Sequence, residues 1–581
     1  MWFWSFFLIH LVIYFFMRLL FAVWNWSSLS VLSESELLLA FFHGFRFDLS
    51  ALGMTLGLAL LVSVWLDRHQ KIRTAWLSFF IAINAAFYII NAIDVELYNF
   101  TAKRFASHSF FLARDATFSN LIAPYVPLAS ASIMLVVGYI FMTWRALKKF
   151  KTPIQLSKKV IISSVIFIIS LVSARGGVQK KPLTFVDAKI FDNTYANNLI
   201  LNSTFTVLKS ASKKSLERVR YFDDEKLLSK LNPKTDLDVV PIFKEKPNFV
   251  VIILEGFSHE YSLLQNPEVM PNLNRLKKIS ANFNEAYANG RRSIEGVAAI
   301  LSGIPALMEE PFINSEFSAN QIIGLGQILN QHGYKTSFFH GASKGSMHFD
   351  SFTRSVGILE NFSREDYPIK EHDDGTWGIF DEPFLKWTCE KIRSYREPFF
   401  STIFTLSSHH PFQLPNDSDI RKKFYVSGLP ILKTIQYTDD ALAKFFNCME
   451  QDIRFKNTVF IITADHTGPE LQVNSSFLNR HRVPLLIYAP GADWISDIKT
   501  DQPAQHIDIL PTILDLAGIQ QKNYNYLSRS LLRSGPKLIA LYSDGKYELA
   551  GNINDQEEQL KAVRQYFSQG LYDNRLYYPI K

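Results

Sequence analysis

Cysteine is nearly absent from this chain, with Cys389 and Cys448 the only two among 581 residues. Two thiols cannot build a disulfide framework, and with no CxxC pair they exclude a zinc site held through sulfur. Whether the two bond to each other is left open at this level. Strong charge of one sign is missing as well. A net charge of +7 is modest for this length and unevenly placed, which excludes a broad basic face for nucleic acid and points to membrane topology and headgroup attraction. The first apolar run also lacks the basic start and the small-residue cleavage site of a secretory leader, so it reads as a membrane span.

Aromatic side chains are plentiful, with 49 Phe, and many crowd the N-terminal region, which points to lipid. Five apolar stretches precede residue 176, at about 2–24, 49–66, 75–93, 122–144 and 159–174. Most approach the ~20 residues that a helix needs to cross a bilayer core. Basic residues occupy the loop Asp67–Arg73 and the loop with Arg145, Lys148, Lys149, Lys151, Lys158 and Lys159, so both loops are expected to be cytoplasmic. Glu34 and Glu36 in the first loop agree, whereas Lys103, Arg104 and Arg114 in the third run against it. Five spans then leave the C-terminal part outside the membrane. Arg46 and Asp48 at the start of the second span, and Asp94 and Glu96 after the third, are read as interfacial anchors, although ionisable groups inside a bilayer are functional candidates.

A chain of this length exceeds one ordinary domain. Three parts are expected: a five-helix transmembrane domain over 1–175, a linker with membrane-surface helices over 176–245, and an extracytoplasmic catalytic domain over 246–581. In the last, strand-like runs near 248–254, 335–339, 399–406, 458–464, 483–489 and 537–542 alternate with helical patterns. That alternation implies a mostly parallel sheet covered by helices, with its site beyond the carboxyl ends of the strands. Glu255, His340, the pair His409-His410 and the pair Asp465-His466 all fall there. Carboxylate and imidazole groups at strand ends make good ligands for a divalent metal. Ser293, after Arg291-Arg292, stands in the segment that precedes a helix-like run, Val297 to Leu301. A hydroxyl there sits at a positive dipole end, and a coordinated cation would lower its pKa. The two arginines would neutralise a phosphate nearby. Ser293 also reads as an ordinary helix N-cap, with Glu295 as first-turn chemistry.

The motifs Ile253-Leu254-Glu255-Gly256, Gly290-Arg291-Arg292-Ser293-Ile294-Glu295-Gly296, Leu301-Ser302-Gly303-Ile304-Pro305, Ser408-His409-His410-Pro411-Phe412 and Ala464-Asp465-His466 together resemble the lipoteichoic acid synthase-like branch of the alkaline phosphatase and sulfatase superfamily. The segments Val483–Gly491 and Asp508–Thr512 fit it as well. The resemblance implies an α-helical transmembrane bundle followed by an α/β alkaline phosphatase/sulfatase-like domain, in a bacterial inner or cell membrane. It implies that Glu255, Ser293, Asp465 and His466 bind the metal, with Ser293 the nucleophile and His409 close to the transferred phosphate. Ser293 stands where the family usually has Thr, and His410 where it has an aromatic residue. Arg291, Arg292, His340 and His410 are the expected substrate-binding residues. Manganese is the implied cofactor, and magnesium or zinc also suits the ligand set. The partners implied are a phospholipid donor, an envelope glycan or polymer acceptor and the membrane, with no nucleic acid. The expected activity is transfer of a phosphoglycerol or phosphoethanolamine headgroup through a covalent phosphoserine. Segment Ser346–Asp350 matches the family's headgroup-contact region poorly, so the headgroup stays open. The alternative is a sulfatase-like phosphodiester or sulfate ester hydrolase. Against it, Ser293 is followed by neither the Pro nor the Arg that formylglycine sulfatases need.

Overall fold

The computed structural model describes residues 2–101, 103–107, 126–148, 154–191, 193–211, 216–231, 243, 246–265, 268–424, 428–471, 475–520, 525–533 and 537–577. Arg114, Lys149, Lys151, residues 122–125 of the fourth apolar stretch and the expected boundary at 245 lie outside them. The chain separates into two compact units, one of Met1–Ser215 with Asn314–Asn320, the other of Leu216–Ile313 with Gln321–Lys581.

The first unit is built on helices α1 (Trp2–Trp24), α2 (Glu34–Trp65), α3 (Gln70–Thr101), α4 (Val126–Leu147) and α5 (Leu156–Arg175). All five are long and apolar enough to cross a membrane. Two of them run well past their apolar stretches. α2 begins early because Ser33 caps it, its hydroxyl accepting from the Glu36 amide (3.3 Å) while Glu36 accepts from the Ser33 amide (2.8 Å). Arg46, Asp48, Asp94 and Glu96 therefore lie within helices instead of at their ends. Asp48 is buried and paired with Arg18 (2.5 Å), the residue that interrupts the apolar run of α1. A hydropathy window stops at such charges, but a paired charge lets the helix continue. Two short helices, α6 (Thr194–Ile200) and α7 (Ser203–Ser210), dock on these groups. The Asn202 side chain caps α7 through the Thr204 amide (2.9 Å) and donates to Asp48 (2.8 Å). Ser203 donates to Asp94 (2.6 Å), which also pairs with Arg104 (2.6 Å).

In the second unit a seven-stranded sheet is formed by β1 (Asn248–Leu254), β2 (Ala281–Asn282), β3 (Lys335–His340), β4 (Glu360–Phe362), β5 (Phe399–Phe404), β6 (Thr458–Ala464) and β7 (Leu485–Tyr488). Its order is β2-β7-β6-β1-β5-β3-β4. The five strands from β6 to β4 are parallel, and β7 runs antiparallel to β6. Every residue of β1, β5 and β6 is buried, the reason these strands read as continuous apolar runs and not as alternating ones. The strand expected near 537–542 does not join this sheet. It pairs as Leu538–Ser543 with Lys546–Gly551 in a separate hairpin. Asp544 and Gly545, at φ 52 and 80, supply its two-residue turn. β2 and β4, of two and three residues, are too short for any periodicity to announce. Helices α8 (Ser293–Ser302), α9 (Asp381–Arg393) and α10 (Ile431–Met449) complete the frame. Cys389 on α9 and Cys448 on α10 are disulfide-bonded.

Candidate functional site

The central strands bring the ligands together through their register. Leu254 of β1 pairs with Ala464 of β6, so Glu255 and Asp465, the next residues, leave the sheet side by side. Gly256 turns away at once with φ 68, a conformation suited to glycine, and its amide donates to Asp465 Oδ1 (2.9 Å). Ser293 stands in the first turn of α8, 3.1 Å from Glu255 Oε2 and 3.3 Å from His466 Nε2. Glu295 sets that helix start. Its Oε2 accepts from the amides of Arg291 (2.9 Å) and Arg292 (3.1 Å), so it does more than favour the dipole. Gly296 lets the helix approach: a Cβ there would lie 2.2 Å from the Asp465 carbonyl oxygen.

Oxygen and nitrogen atoms with free lone pairs converge here. His466 Nδ1 lies 2.8 Å from the Thr467 carbonyl, which assigns its proton to that bond and leaves Nε2 as a bare acceptor. Nε2 is 3.5 Å from Glu255 Oε1 and 3.2 Å from Asp465 Oδ2. Asp465 Oδ2 is buried and accepts no hydrogen bond. Burial, with the Asp465 carboxylate beside it, pushes the Glu255 carboxyl well above its ordinary range. The residues fit a cation: Glu255, Asp465 and His466 form a group able to hold a metal ion, and ligands at ~2.0–2.1 Å in a tetrahedral shell would lie about 3.3 Å apart.

His409 reaches the same group, with Nε2 3.3 Å from Glu255 Oε2. Burial lowers its pKa to about 4, so the ring is neutral at pH 7. Two residues that sequence reasoning did not single out hold it. Trp377 stacks on the His409 ring at 4.5 Å and 17° and donates Nε1–H to the His410 carbonyl (2.6 Å). Asp381, at the start of α9, accepts from the amides of Leu406 (2.7 Å) and Ser407 (3.0 Å) and from the Thr438 hydroxyl (2.6 Å) on α10. An acidic residue in a first helical turn is ordinary helix chemistry, so no local signal marked it.

The expected substrate-binding residues are placed differently from one another. Arg292 is tied to Glu295 Oε1 through Nε (2.9 Å) and to the Glu309 carbonyl (2.7 Å). Arg291 donates to Thr467 Oγ1 (3.3 Å) and to the Arg480 carbonyl (2.5 Å). His340 is buried, stacked on Phe404 at 4.5 Å with Nδ1 on that residue's carbonyl (3.2 Å). Burial lowers its pKa to about 4. His410 packs edge-on against Phe412 (5.5 Å).

Residues 247–519 match the family model described as Sulfatase. Those residues make up the greater part of the second unit and are similar to the Sulfatase family. The chain's relatives include the lipoteichoic acid synthase-like protein YvgJ of Bacillus subtilis (strain 168), 26% identical over 301 residues that cover 48% of each chain. The lipoteichoic acid synthase of Staphylococcus aureus (strain NCTC 8325 / PS 47) is 26% identical over 333 residues, 52% of this chain and 50% of the relative. The chain thus spans about half the length of each. Among solved structures, a protein of the alkaline phosphatase superfamily from Vibrio parahaemolyticus superposes with TM-score 0.54 at 22% identity, over 62% of this chain and 98% of its own. The lipoteichoic acid synthase LtaP of Listeria monocytogenes gives 0.51 at 14% identity, over 61% and 98%. At these identities the structures establish only the fold of the matched part of the chain, and that fold is alkaline phosphatase-like.

Proposed function

We propose that this protein is a multi-pass enzyme of a bacterial cell membrane that moves a phospholipid headgroup, phosphoglycerol or phosphoethanolamine, to an envelope glycan or polymer. The observation that carries the reading is the placement of the Ser293 hydroxyl at the start of α8, within 3.3 Å of both Glu255 and His466. A divalent cation, which we take to be manganese, held by Glu255, Ser293, Asp465 and His466 would activate the hydroxyl and offset phosphoryl charge. Ser293 Oγ attacks phosphorus while the bond to the diacylglycerol oxygen breaks. His409, a neutral base beside Glu255, is placed to take up the proton that Ser293 loses and to deliver it to that oxygen. The acceptor hydroxyl then attacks the phosphoserine, its proton leaves, and Ser293 is regenerated. The α8 N-terminus keeps peptide dipoles aimed at the phosphoryl oxygens throughout. The Cys389–Cys448 bond supports an oxidising compartment for the catalytic unit, in line with the basic loops on the cytoplasmic side.

Turnover of fluorescent phosphatidylglycerol and phosphatidylethanolamine by the purified chain with manganese tests this, beside Ser293→Ala. Diacylglycerol should form from one lipid and fall by about a millionfold in the variant, as for loss of a catalytic nucleophile. Release of the free headgroup in the presence of acceptor would indicate a hydrolase instead, and no product from either lipid would end the proposal.

A further inference from the structure

Helix α2 is much longer than the helix it packs against. It runs for 32 residues, ~48 Å, whereas α5 has 20, ~30 Å, the depth of one hydrocarbon core. Charge bounds their contact at both ends. At one end Lys159 pairs with Asp67, just past α2 (2.5 Å). At the other, Arg46 donates Nε–H to the carbonyl of Gly176, just past α5 (2.5 Å), and Arg175 donates to the Gln179 carbonyl (2.9 Å). Lys180 and Lys181 follow, both exposed. From Arg46 to Asp67 the chain rises ~30 Å, so these two charged groups mark the faces of one bilayer core.

The segment Glu34–Phe45 carries α2 ~18 Å beyond the Arg46 end. Within the core, α2 meets α5 through small residues. Ser50 donates to the Ala174 carbonyl (2.8 Å), and a Cβ on Gly53 or Gly57 would strike Ala174 or Ser170. Continued upward by the same helical steps of three and four residues, that face becomes Phe42, Leu39 and Leu38, with Phe45 beside them. These four are exposed by 74%, 47%, 71% and 49%, since α5 has ended below them. Helices of a membrane bundle meet through small residues, as α2 and α5 do, so a stripe of Leu and Phe suits acyl chains better than another helix. Tilting α2 to sink the stripe into the bilayer would drag Lys180 and Lys181 into hydrocarbon as well.

We propose that Leu38, Leu39, Phe42 and Phe45 hold the acyl chains of the donor phospholipid, raised partly out of the bilayer. The assignment rests on the transferase reading. A lifted lipid shows methylenes to water, and the stripe covers them. Arg46, Arg175, Lys180 and Lys181 hold neighbouring phosphates at the ordinary surface level. The phosphate of the lifted lipid then stands clear of its neighbours and is open to a serine outside the membrane.

The test uses the full chain in lipid bilayers. Turnover of dioleoyl lipid there is compared with turnover of monomeric dihexanoyl lipid of the same headgroup, which needs no lifting. Leu38→Ser with Phe42→Ser should lower dioleoyl turnover by about tenfold, as loss of contact with one or two methylenes would, and leave dihexanoyl turnover unchanged. Thermal melts check that the variant folds, as expected for exposed positions. Unchanged dioleoyl turnover, or equal losses on both lipids, would overturn the proposal. Nitroxides at Phe42→Cys and, separately, Lys180→Cys give an independent reading, the native cysteines being bonded to each other. Oxygen should reach the first and a water-soluble nickel chelate the second. Nickel access to both would show a wet face, and oxygen access to both an ordinary span. A residue 42 that neither reagent reaches would mean that protein, such as a second copy, covers the stripe. Each of these three results would overturn the proposal. The transferase reading fails separately, through absence of diacylglycerol from the wild-type chain.

Discussion

His466 shows how much one hydrogen bond decides at the level of a residue. With Nδ1 committed to the Thr467 carbonyl, Nε2 is left as an acceptor among two carboxylates and a hydroxyl, the condition under which a cation is held most tightly. His466→Ala is expected to lose bound metal and turnover together, measured by elemental analysis of the purified chain beside the lipid assay. Full metal content in that variant would show that the group is not the metal site. Asp381 works at one remove, through the amides of Leu406 and Ser407 just before His409. An asparagine presents an NH2 group where those donors need an acceptor. Asp381→Asn should therefore cost on the order of 10- to 100-fold in turnover, as misplacement of a catalytic group does. Against a His409→Ala background the same change should cost little, and equal losses in both backgrounds would mean that Asp381 does not act through His409. Glu255, Ser293, His409, Asp465 and His466 could all be picked from the sequence because each ends a strand-like run or opens a helix. Trp377 and Asp381 could not, because their partners, the His409 ring and groups of Leu406, Ser407 and Thr438, come from later segments of the sequence.

Elements place these residues by how closely they approach one another. α8 comes against the end of β6 only because position 296 has no side chain, with the Asp465 carbonyl 2.2 Å from where a Cβ would stand. Gly296→Ala should push the helix away, lower stability by about 1–3 kcal/mol as overpacking does, and reduce metal content through the displaced Ser293. Thermal melts and elemental analysis check the two effects. A stable, metal-replete variant would show that the approach has slack. The five long helices and the main strands were legible as runs of hydropathy. The true start of α2 and the end of α3 were not, since Asp48 is neutralised by Arg18 on α1 and Asp94 by Arg104 in the segment after α3. The strand at 538–543 was legible as a strand but not as a hairpin partner, because apolar character fixes no register.

At the scale of the whole molecule, the disulfide joins the helix that carries Asp381 to the one that carries Thr438. It closes a separation of 59 residues, which in the chain-entropy model contributes about 4 kcal/mol. Replacing both cysteines by serine should lower denaturant stability by up to about that amount, and should make the wild-type sensitivity to reductant disappear. Equal midpoints for the wild type and the variant under non-reducing conditions would show that the bond adds nothing.

The sequence by itself determined the five apolar spans, the alternation of strands and helices, and the residues at strand ends, since all of these are local patterns along the chain. The pairing of Cys389 with Cys448, the docking of 194–210 on buried charges, and the meeting of Gly256 with Asp465 across 209 residues of sequence were decided only in the tertiary structure. Such contacts depend on strand order and register, and these follow from packing of the entire sheet and its helices rather than from any one segment.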